Sequence, residues 1–509
     1  MPVVPVTEAR APFILAIDAG TSSVRALVFD QRGNAVEGAE EQLPYRIETT
    51  PDGGATFDAD ALLALTIETI DRLMQSSAEV LAQVAAIGTT SFWHSLLGLN
   101  RDGQPCTPVY YWADTRSAQD ALTLREDLDA HAIWQRTGCR LHPSYWPAKL
   151  RWLQRTEPGM IEQAARWVSF PEYALGRLCE PGAAAVTLCM ASGTGMLDVH
   201  ELEWDHDLLQ LFGLEPRNLS PLTDLGPPGV LLPDYAKRWP LLRGAQWYPA
   251  LGDGACANVG CNAIGPGRMA LTVGTSAAMR MILPRERGTA WEVPHGLWAY
   301  RLDAESAVLG GALSNGGNFL RWLRETMNSP LDGDALVAAA ALPAAASGVT
   351  MLPFLAGERS PSWHDNATAV FFGLTQATTP ADLLRAGMEA VAYRLAAIYD
   401  HLAPLADDEF QILVNGGAVV DSPPWLQIIA DVLGHSLIPG HPGSETTARG
   451  AAMMAAVQSG IGTFAGWDQT DQLASDIYKP QPADFPAYQI ARRTQESLEQ
   501  LLTEWGAFA

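Results

Sequence analysis

Asp18 precedes a turn that is rich in small and hydroxyl side chains: Gly20, Thr21 and Ser22. Apolar segments at 13–17 and 24–29 flank this turn and predict a β-hairpin with the turn at its tip. Glycine lets backbone N–H groups approach an anion closely, the hydroxyls add donors, and Asp18 can hold a hydrated divalent cation. The turn therefore suits a nucleotide phosphate with Mg²⁺, and an ordinary hairpin is the alternative.

The same pattern returns about half a chain later, at residues 270–281. Gly274 and Thr275 repeat the glycine and hydroxyl of the first turn, whereas Thr272 stands at the position that Asp18 occupies there. The repeat predicts two related halves, each presenting a phosphate-binding hairpin to a shared cleft. Only the first half offers the carboxylate for a metal ion.

Asp253 lies between two glycines shortly before the second hairpin, and the small residues at 255–259 predict the start of a helix. A carboxylate at this place can accept the proton of a hydroxyl group as its oxygen attacks a phosphoryl group. The alternative is a simple Gly-Asp-Gly turn. The position immediately before a phosphate hairpin favours the catalytic interpretation.

Two further segments pass from a strand through glycines into a helix. Segment 310–323 contains Asn315 at this junction, and segment 410–433 contains Gly416 and Gly417. The glycine pair leaves room for a flat ring, as a nucleotide base requires.

Trp93 and His94 lie where two predicted strands meet, and together they can offer a polyol a stacking face and a hydrogen bond. A structural histidine is the alternative. Asp114 can bond a sugar hydroxyl, or it can cap a helix predicted to start near Thr115. Lys149 is expected at the surface of the next predicted helix.

Composition limits the partners of this chain. It has 509 residues, of which 48% are hydrophobic and 18% charged, so its length favours two or more domains. The formal charge of −24 disfavours nucleic acid and anionic membranes. Six cysteines without a CxxC pair predict reduced thiols, and no signal peptide or apolar span is evident, so we expect a cytoplasmic protein. The sequence leaves a homodimer open.

Motifs along nearly the whole chain resemble the FGGY family of carbohydrate kinases. In order, they are DAGTSSVRALVFD, SFWHSLLGL, YYWADTRS, SYWPAKLRWL, LGDGACANVG, LTVGTS, GERSPSWHDNA, VFFGLT and NGGAVVDSPPWLQIIADVLG. The resemblance implies an α/β fold of two actin-like, ribonuclease-H-like ATPase domains with the active-site cleft between them. We place the domains at 12–247 and 248–490, followed by a helical tail at 491–509.

Matching positions imply roles for individual residues. Asp253 is the expected catalytic base and Asp18 the metal-linked carboxylate, with ATP and Mg²⁺ as cofactors. Thr21 and Thr275 are expected beside the phosphates. Gly317 and Gly417 fall where the family's nucleotide cleft passes the ribose and adenine, and His94 falls in its sugar-binding motif.

Segments 94–117 and 310–317 resemble the gluconate kinases of the family more than its xylulose kinases. The expected reaction is therefore phosphorylation of D-gluconate to 6-phosphogluconate, with xylulose or another pentulose or polyol as the alternative. We expect Trp93, His94 and Asn315 around the substrate, with Asp114 bonding its hydroxyls.

Two readings from other classes fit less well. An actin-like ATPase without a sugar substrate would lack the Gly-Asp-Gly base and the aromatic and histidine segment. A sugar-responsive repressor would need an N-terminal helix-turn-helix, for which a first strand near residue 13 leaves no room.

Overall fold

The computed structural model describes residues 3–180, 185–289, 291–327, 333–441, 443–468 and 477–508. Its strands in chain order are β1 Val3–Val4, β2 Phe13–Ala19, β3 Ser23–Phe29, β4 Ala35–Pro44, β5 Glu48–Thr49, β6 Ala55–Phe57, β7 Val84–Ser91, β8 Leu97–Leu99, β9 Val109–Tyr110, β10 Arg166–Val168, β11 Val186–Thr187, β12 Leu197–Asp198, β13 Glu203–Trp204, β14 Leu222–Thr223, β15 Gln246–Trp247, β16 Leu251–Gly252, β17 Arg268–Val273, β18 Ala277–Pro284, β19 Trp298–Arg301, β20 Ser306–Leu313, β21 Thr350–Leu352, β22 Val370–Phe372, β23 Gln411–Asn415 and β24 Leu437–Pro439.

The α-helices are α1 Ala59–Ser76, α2 Ala78–Leu81, α3 Ala118–Asp127, α4 Ala130–Thr137, α5 Trp146–Thr156, α6 Pro158–Gln163, α7 Phe170–Leu178, α8 Leu188–Ser192, α9 His206–Leu211, α10 Pro233–Arg238, α11 Asp253–Gly260, α12 Gly317–Thr326, α13 Gly333–Ala340, α14 Pro380–Leu402, α15 Gly417–Val420, α16 Pro423–Leu433, α17 Thr446–Gln458 and α18 Phe485–Glu504. Among the residues that the structure describes, no helix combines the length and apolarity that a membrane span requires.

The first sheet has the strand order β1-β4-β3-β2-β7-β15, and β16 also pairs with β7. Strands β4, β3 and β2 form an antiparallel meander, whereas β7 runs parallel to β2 and to both β15 and β16. Every residue of β2 is buried, as expected for a central strand. The meander contains the hairpin that the sequence predicted at 13–29.

The second sheet repeats this topology with the order β19-β20-β18-β17-β23-β24. Apart from β19, it again consists of an antiparallel meander, β20-β18-β17, continued by the parallel strands β23 and β24. Each hairpin turn is closed by its glycine N–H, which bonds Ser23 O at 3.0 Å from Gly20 and Ser276 O at 2.9 Å from Gly274, although the first turn is one residue longer. The prediction of two related halves is confirmed.

Helix α17, late in the chain, packs against the first sheet and against α11. Glycines permit this close approach: a Cβ on Gly88 would lie 2.1 Å from Ala451 O, and one on Gly260 would lie 1.8 Å from Thr446 O. On α17 itself, a Cβ on Gly450 would lie 1.8 Å from Cys256 O. The backbones of α11 and α17 are therefore in direct contact where the two halves join.

The structure bears on the expectations for the C-terminal helix, for Lys149 and for the cysteines. The C-terminal helix α18 begins at Phe485, earlier than residue 491, and it belongs to the second half, because Tyr488 lies in that core and Gln495 donates to Met351 O at 2.8 Å. The expectation that Lys149 is exposed is wrong: α5 buries it, and its Nζ donates to Pro143 O and Ser144 O. The six cysteines are free thiols, as predicted.

Candidate active site

The parallel strands of the first sheet bring Asp18 and Asp253 to the same edge. Asp18 pairs in register with Thr90 of β7, and Gly252 of β16 pairs with Ser91 on the other side of that strand. Asp253 follows Gly252 directly and begins α11. Two carboxylates far apart in the sequence thus become electrostatic neighbours at the carboxyl ends of three parallel strands.

The Asp18 carboxylate has the properties of a metal ligand. Its side chain is buried, and Oδ1 has no hydrogen-bond partner in the part of the chain that the structure describes. Burial, reinforced by the charges of Asp253 and Glu445, raises the pKa of Asp18 to about 7, whereas Arg25 opposes the shift. A bound cation would hold this carboxylate in its charged form.

The surroundings of Asp18 suit a Mg²⁺ ion that is bound partly by phosphate and water. They do not suit a metal ion held by protein side chains alone. Across the described ranges, no group of three or more His, Cys, Asp or Glu side chains could hold a metal ion. Mg²⁺ commonly uses one or two carboxylates together with phosphate oxygens and water, which Asp18 and a bound nucleotide would provide.

Asp253 stands at the first position of α11, half-buried, with Oδ1 accepting the N–H of Gly254 at 2.8 Å. Burial raises its pKa, and the Gly254 hydrogen bond and the charge of Arg280 oppose the shift. One oxygen is thereby fixed, and the group remains reachable from the cleft. These are properties of a positioned proton acceptor.

Trp93 supports the Asp253 turn from beneath. A Cβ on Gly193, Gly252 or Gly254 would lie 2.5, 1.9 or 2.4 Å from a ring atom of Trp93, so only glycine fits around the indole. The indole N–H donates to Cys189 O at 2.9 Å. Its polar atom is therefore already used, and the ring fixes the backbone on both sides of Asp253.

His94 has a defined protonation state. Its Nδ1 hydrogen-bonds the carbonyl oxygen of Gly193, so Nδ1 must be the donor. Burial lowers the pKa of His94 to about 3, which keeps the ring neutral and leaves Nε2 as an acceptor. The centre of the His94 ring lies 4.9 Å from the ring centre of Tyr145 and 5.7 Å from that of Tyr300. The hydroxyl oxygens of these two tyrosines are 2.6 Å apart.

Asp114 and Asn315, predicted beside the substrate, already have protein partners. Asp114 is buried, accepts the N–H of Ala55 at 3.1 Å and forms an ion pair with Arg116. It does not cap a helix, because α3 begins at Ala118. Asn315 Nδ2 donates to Gly357 O at 3.2 Å. Their contact with a substrate stays a prediction.

The predicted nucleotide segments of the second half come together. Gly317 N–H bonds Gly274 O at 2.8 Å, and a Cβ on Gly317 would lie 2.6 Å from that of Ala418. Gly416 has a φ of +97°, and a Cβ there would lie 2.4 Å from Val273 O. The second hairpin, the start of α12 and the glycine pair at the start of α15 are thus in contact with one another. Their contact with a nucleotide stays a prediction.

The first hairpin turn is anchored by two tyrosines. The Tyr45 hydroxyl donates to Gly20 O, and the side chain of Thr21 interacts with that of Tyr111. Ser22 is exposed at the tip. The turn is thereby fixed at its base and open to a ligand at its end.

Two arginines of this region were not predicted from the sequence. Arg280 is buried in β18 beside Asp253, where its Nε donates to Asn258 Oδ1 at 2.9 Å and its terminal nitrogen to Thr272 Oγ1 at 2.8 Å. Arg359 lies in the loop after β21. A charged residue inside the otherwise buried strand β18 was the available signal for Arg280, whereas nothing local distinguished Arg359.

Two sheets of the same topology, each with a glycine hairpin, and a carboxylate pair at one edge of the first sheet fit an ATP-dependent phosphotransferase of the actin-like ATPase fold. Residues 13–260 match the N-terminal domain and residues 269–459 the C-terminal domain of the FGGY family of carbohydrate kinases. The chain belongs to this family and is a sugar kinase.

Individual relatives agree with this assignment. The chain is 27% identical over 496 residues to a gluconokinase of Bacillus subtilis, which covers 93% of this chain and 92% of that protein. A gluconate kinase structure from Lactobacillus acidophilus has a TM-score of 0.86 at 26% identity, covering 98% and 99% of the two chains. A xylulose kinase structure from the same organism has a TM-score of 0.85 at 26% identity, covering 98% and 100%.

Proposed function

We propose that this kinase transfers the γ-phosphoryl group of ATP to the terminal hydroxyl of D-gluconate, forming 6-phosphogluconate. The observation that carries the proposal is the half-buried Asp253, held by Gly254 and Trp93 next to Asp18 at one sheet edge. The similarity to gluconate kinases in sequence and in structure supports gluconate as the acceptor.

The reaction assigns one proton and one electron pair. Asp253 accepts the proton of the acceptor hydroxyl as its oxygen forms a bond to the γ-phosphorus. The bond between that phosphorus and the bridging oxygen breaks, and its electron pair leaves with ADP. Because phosphoryl transfer depends on positioning and charge neutralisation, the fixed carboxylate and the two hairpins provide what the reaction requires from this chain.

We assign the phosphates to both hairpin turns and Mg²⁺ to Asp18. Gly20, Thr21 and Ser22 would contact the phosphates from one side, and Gly274 and Thr275 from the other. The unpartnered Oδ1 of Asp18 supports the metal assignment within the described part of the chain. When bound, Mg²⁺ would neutralise the charge of the phosphate oxygens.

The adenosine is assigned to the second half and the acceptor to the first. Gly317, Gly416 and Gly417 would accommodate the ribose and base, because the packed glycines leave little side-chain bulk there. On the acceptor side, His94 Nε2 would accept a hydrogen bond from a substrate hydroxyl, and Trp93 and Asn315 would lie beside the substrate. Asp114, which forms an ion pair with Arg116, would bond hydroxyl groups of the substrate.

A coupled ADP-release assay tests the acceptor. The purified protein is measured with gluconate, xylulose, ribulose, xylitol, glycerol and glucose at matched concentrations. We expect the highest kcat/KM with gluconate. A preference for xylulose would instead establish the pentulose alternative, which the xylulose kinase structure of similar fold supports. ADP release without any acceptor dependence would contradict the kinase proposal.

Location and assembly complete the proposal. We place the enzyme in the cytoplasm, where ATP and sugar acids occur together. A homodimer stays a prediction, and it is supported by the exposed apolar side chains Ile490 and Leu501 of α18 and Trp505 directly after it. Light scattering after size-exclusion chromatography would measure the mass, and the mass of a single chain would exclude the dimer.

A further inference from the structure

A sugar acid brings a carboxylate into a protein with 57 acidic and 33 basic side chains, so its binding site needs a dedicated donor. The side chains expected around the substrate cannot serve as this donor. His94 is neutral with Nε2 as an acceptor, the Trp93 indole donates to Cys189 O, and Asn315 donates to Gly357 O. A cation is the remaining kind of donor.

Three cations belong to this region, Lys149 and Arg359 beside His94 and Arg280 beside Asp253, and two of them are already satisfied. Arg280 bonds Asn258 and Thr272, and the Lys149 ammonium group bonds two backbone carbonyls of the loop before α5. Arg359 differs. In the region that the structure describes, its buried Nε has no hydrogen-bond partner, and its terminal nitrogen reaches Leu313 O only at 3.4 Å.

The surroundings of Arg359 are aromatic and uncharged. Its guanidinium lies 5.2 Å from the ring centre of Trp112, and its titratable neighbours are the neutral side chains of Tyr145, Tyr300 and Tyr111. No carboxylate among the described residues pairs with it. By contrast, Arg394, deeper under the same loop, pairs with Glu358 and Glu499.

The loop that carries Arg359 is fixed on both sides. Asn315 donates to Gly357 O, Ser360 N–H bonds Ala312 O at 3.0 Å, and Glu358 forms the ion pair with Arg394. The guanidinium is therefore held in place rather than free to find a partner in solvent. A fixed, unpaired cation in an aromatic wall is preorganised for an anionic ligand.

The position also agrees with the reaction geometry. The charge of Arg359 acts on His94, and Arg280 is an electrostatic neighbour of both Arg359 and Asp253. Arg359 and Arg280 thus link His94 and Asp253 as a chain of electrostatic neighbours. An extended acceptor with its reacting hydroxyl at Asp253 and a hydroxyl at His94 can direct its other end towards Arg359.

We propose that Arg359 is the carboxylate subsite of this kinase, where its planar guanidinium binds the carboxylate of an aldonate acceptor by paired hydrogen bonds. The inference rests on the proposed function and deepens it, because it makes one side chain responsible for preferring sugar acids over neutral polyols. A guanidinium fits a carboxylate in a bidentate geometry that lysine cannot reproduce.

The test compares gluconate with glucitol, its neutral counterpart, in wild type and in Arg359→Gln. We expect the substitution to lower kcat/KM for gluconate by about 10- to 150-fold, as the loss of charged hydrogen bonds predicts. Turnover of glucitol, or its inhibition constant if turnover is slow, should change less than about threefold. Arg359→Lys should keep the charge, lose the bidentate geometry and give an intermediate loss of gluconate activity.

Arg140→Gln is the matched control. Its guanidinium also stacks on tryptophan, 4.4 Å from the ring centre of Trp134, and its Nε likewise has no partner within the described ranges, but it lines a different cavity. We expect unchanged selectivity. Equal losses for gluconate and glucitol in Arg359→Gln, with an unchanged melting temperature, would overturn the subsite alone. A wild-type enzyme that uses neutral sugars and not gluconate would overturn the proposed function and the subsite together.

Discussion

At the scale of single residues, burial decides which protonation states this site can use. The same cause raises the pKa of the carboxyl groups of Asp18 and Asp253 and lowers that of His94 to about 3. A neutral imidazole with a fixed tautomer can accept a hydroxyl hydrogen throughout the physiological range. The hydrogen bond that His94 was predicted to offer a polyol is therefore one that it accepts through Nε2.

His94→Ala should raise KM for the sugar by about 5- to 150-fold, equivalent to ~1 to 3 kcal/mol of lost polar contact, and leave KM for ATP nearly unchanged. Because His94 has a φ of +70°, His94→Asn is the better-tolerated companion variant. Both KM values and thermal melts should be measured for both variants. A lowered melting temperature with an unchanged sugar KM would make His94 a structural residue.

Lys149 provides a pH test of the fold. Burial lowers its pKa to about 7 in the folded protein, below the value of about 10.4 in an unfolded chain. The unfolded state therefore binds more protons between these values, so the stability of the wild type should rise with pH across that window. The penalty is complete below pH 7 and absent above the unfolded pKa.

Lys149→Met cannot titrate, so it isolates this effect. The melting temperature of the wild type minus that of Lys149→Met should be more positive at pH 9 than at pH 7. An equal difference at both pH values would show that the ammonium group has an ordinary pKa. The sequence could not reveal this burial, because the two carbonyls that bond Nζ belong to the turn before α5.

At the scale of elements, the two hairpins were predictable because alternation of apolar runs with glycine turns is a local signal. The close packing of α11 on α17 was not, since it joins residues nearly two hundred positions apart. Glycine in a helix is normally unfavourable, by about 1 kcal/mol relative to alanine. Here Gly260 and Gly450 are retained at points where backbone meets backbone.

Gly450→Ala should force α17 away from α11, since the new Cβ would lie 1.8 Å from Cys256 O. We expect a destabilisation of about 1 to 3 kcal/mol from overpacking, together with lower kcat because α11 starts at Asp253. Gly159→Ala in α6 is the control, as no atom lies within 4 Å of its added Cβ. Equal melting temperatures for wild type and Gly450→Ala would contradict the close contact.

At the scale of the whole molecule, two sheets with the same strand order contribute different parts of the site. The first sheet carries the carboxylates Asp18 and Asp253, and the second carries the glycine segments predicted to bind the nucleotide. The resemblance to a kinase family predicted this architecture, and the domain matches confirm it. The distribution of partners could not be predicted, because it depends on contacts between distant segments. Asp114 was expected to bond substrate hydroxyls or to cap a helix and is paired with Arg116, whereas Arg359 was unnoticed and stands without a carboxylate partner among the described residues.

The net charge of −24 makes an arginine without an acidic partner an unusual feature of this chain. In such a chain an arginine readily finds an acidic partner, as Arg116 and Arg125 do in Asp114 and Asp365. Cations that remain available, and carboxylates that lack a donor, are therefore the places where a charged ligand is expected. Asp18 and Arg359 are such places on the metal and acceptor sides.

The central claim is that Asp253 takes the acceptor proton during phosphoryl transfer, and single-turnover transfer from labelled ATP in Asp253→Asn tests it most directly. The amide keeps the size of the side chain and cannot accept the proton, so the rate should fall by about 10²- to 10⁴-fold. Binding of ATP, measured by calorimetry on the same sample, should stay within about threefold of wild type. A near wild-type transfer rate would contradict the account.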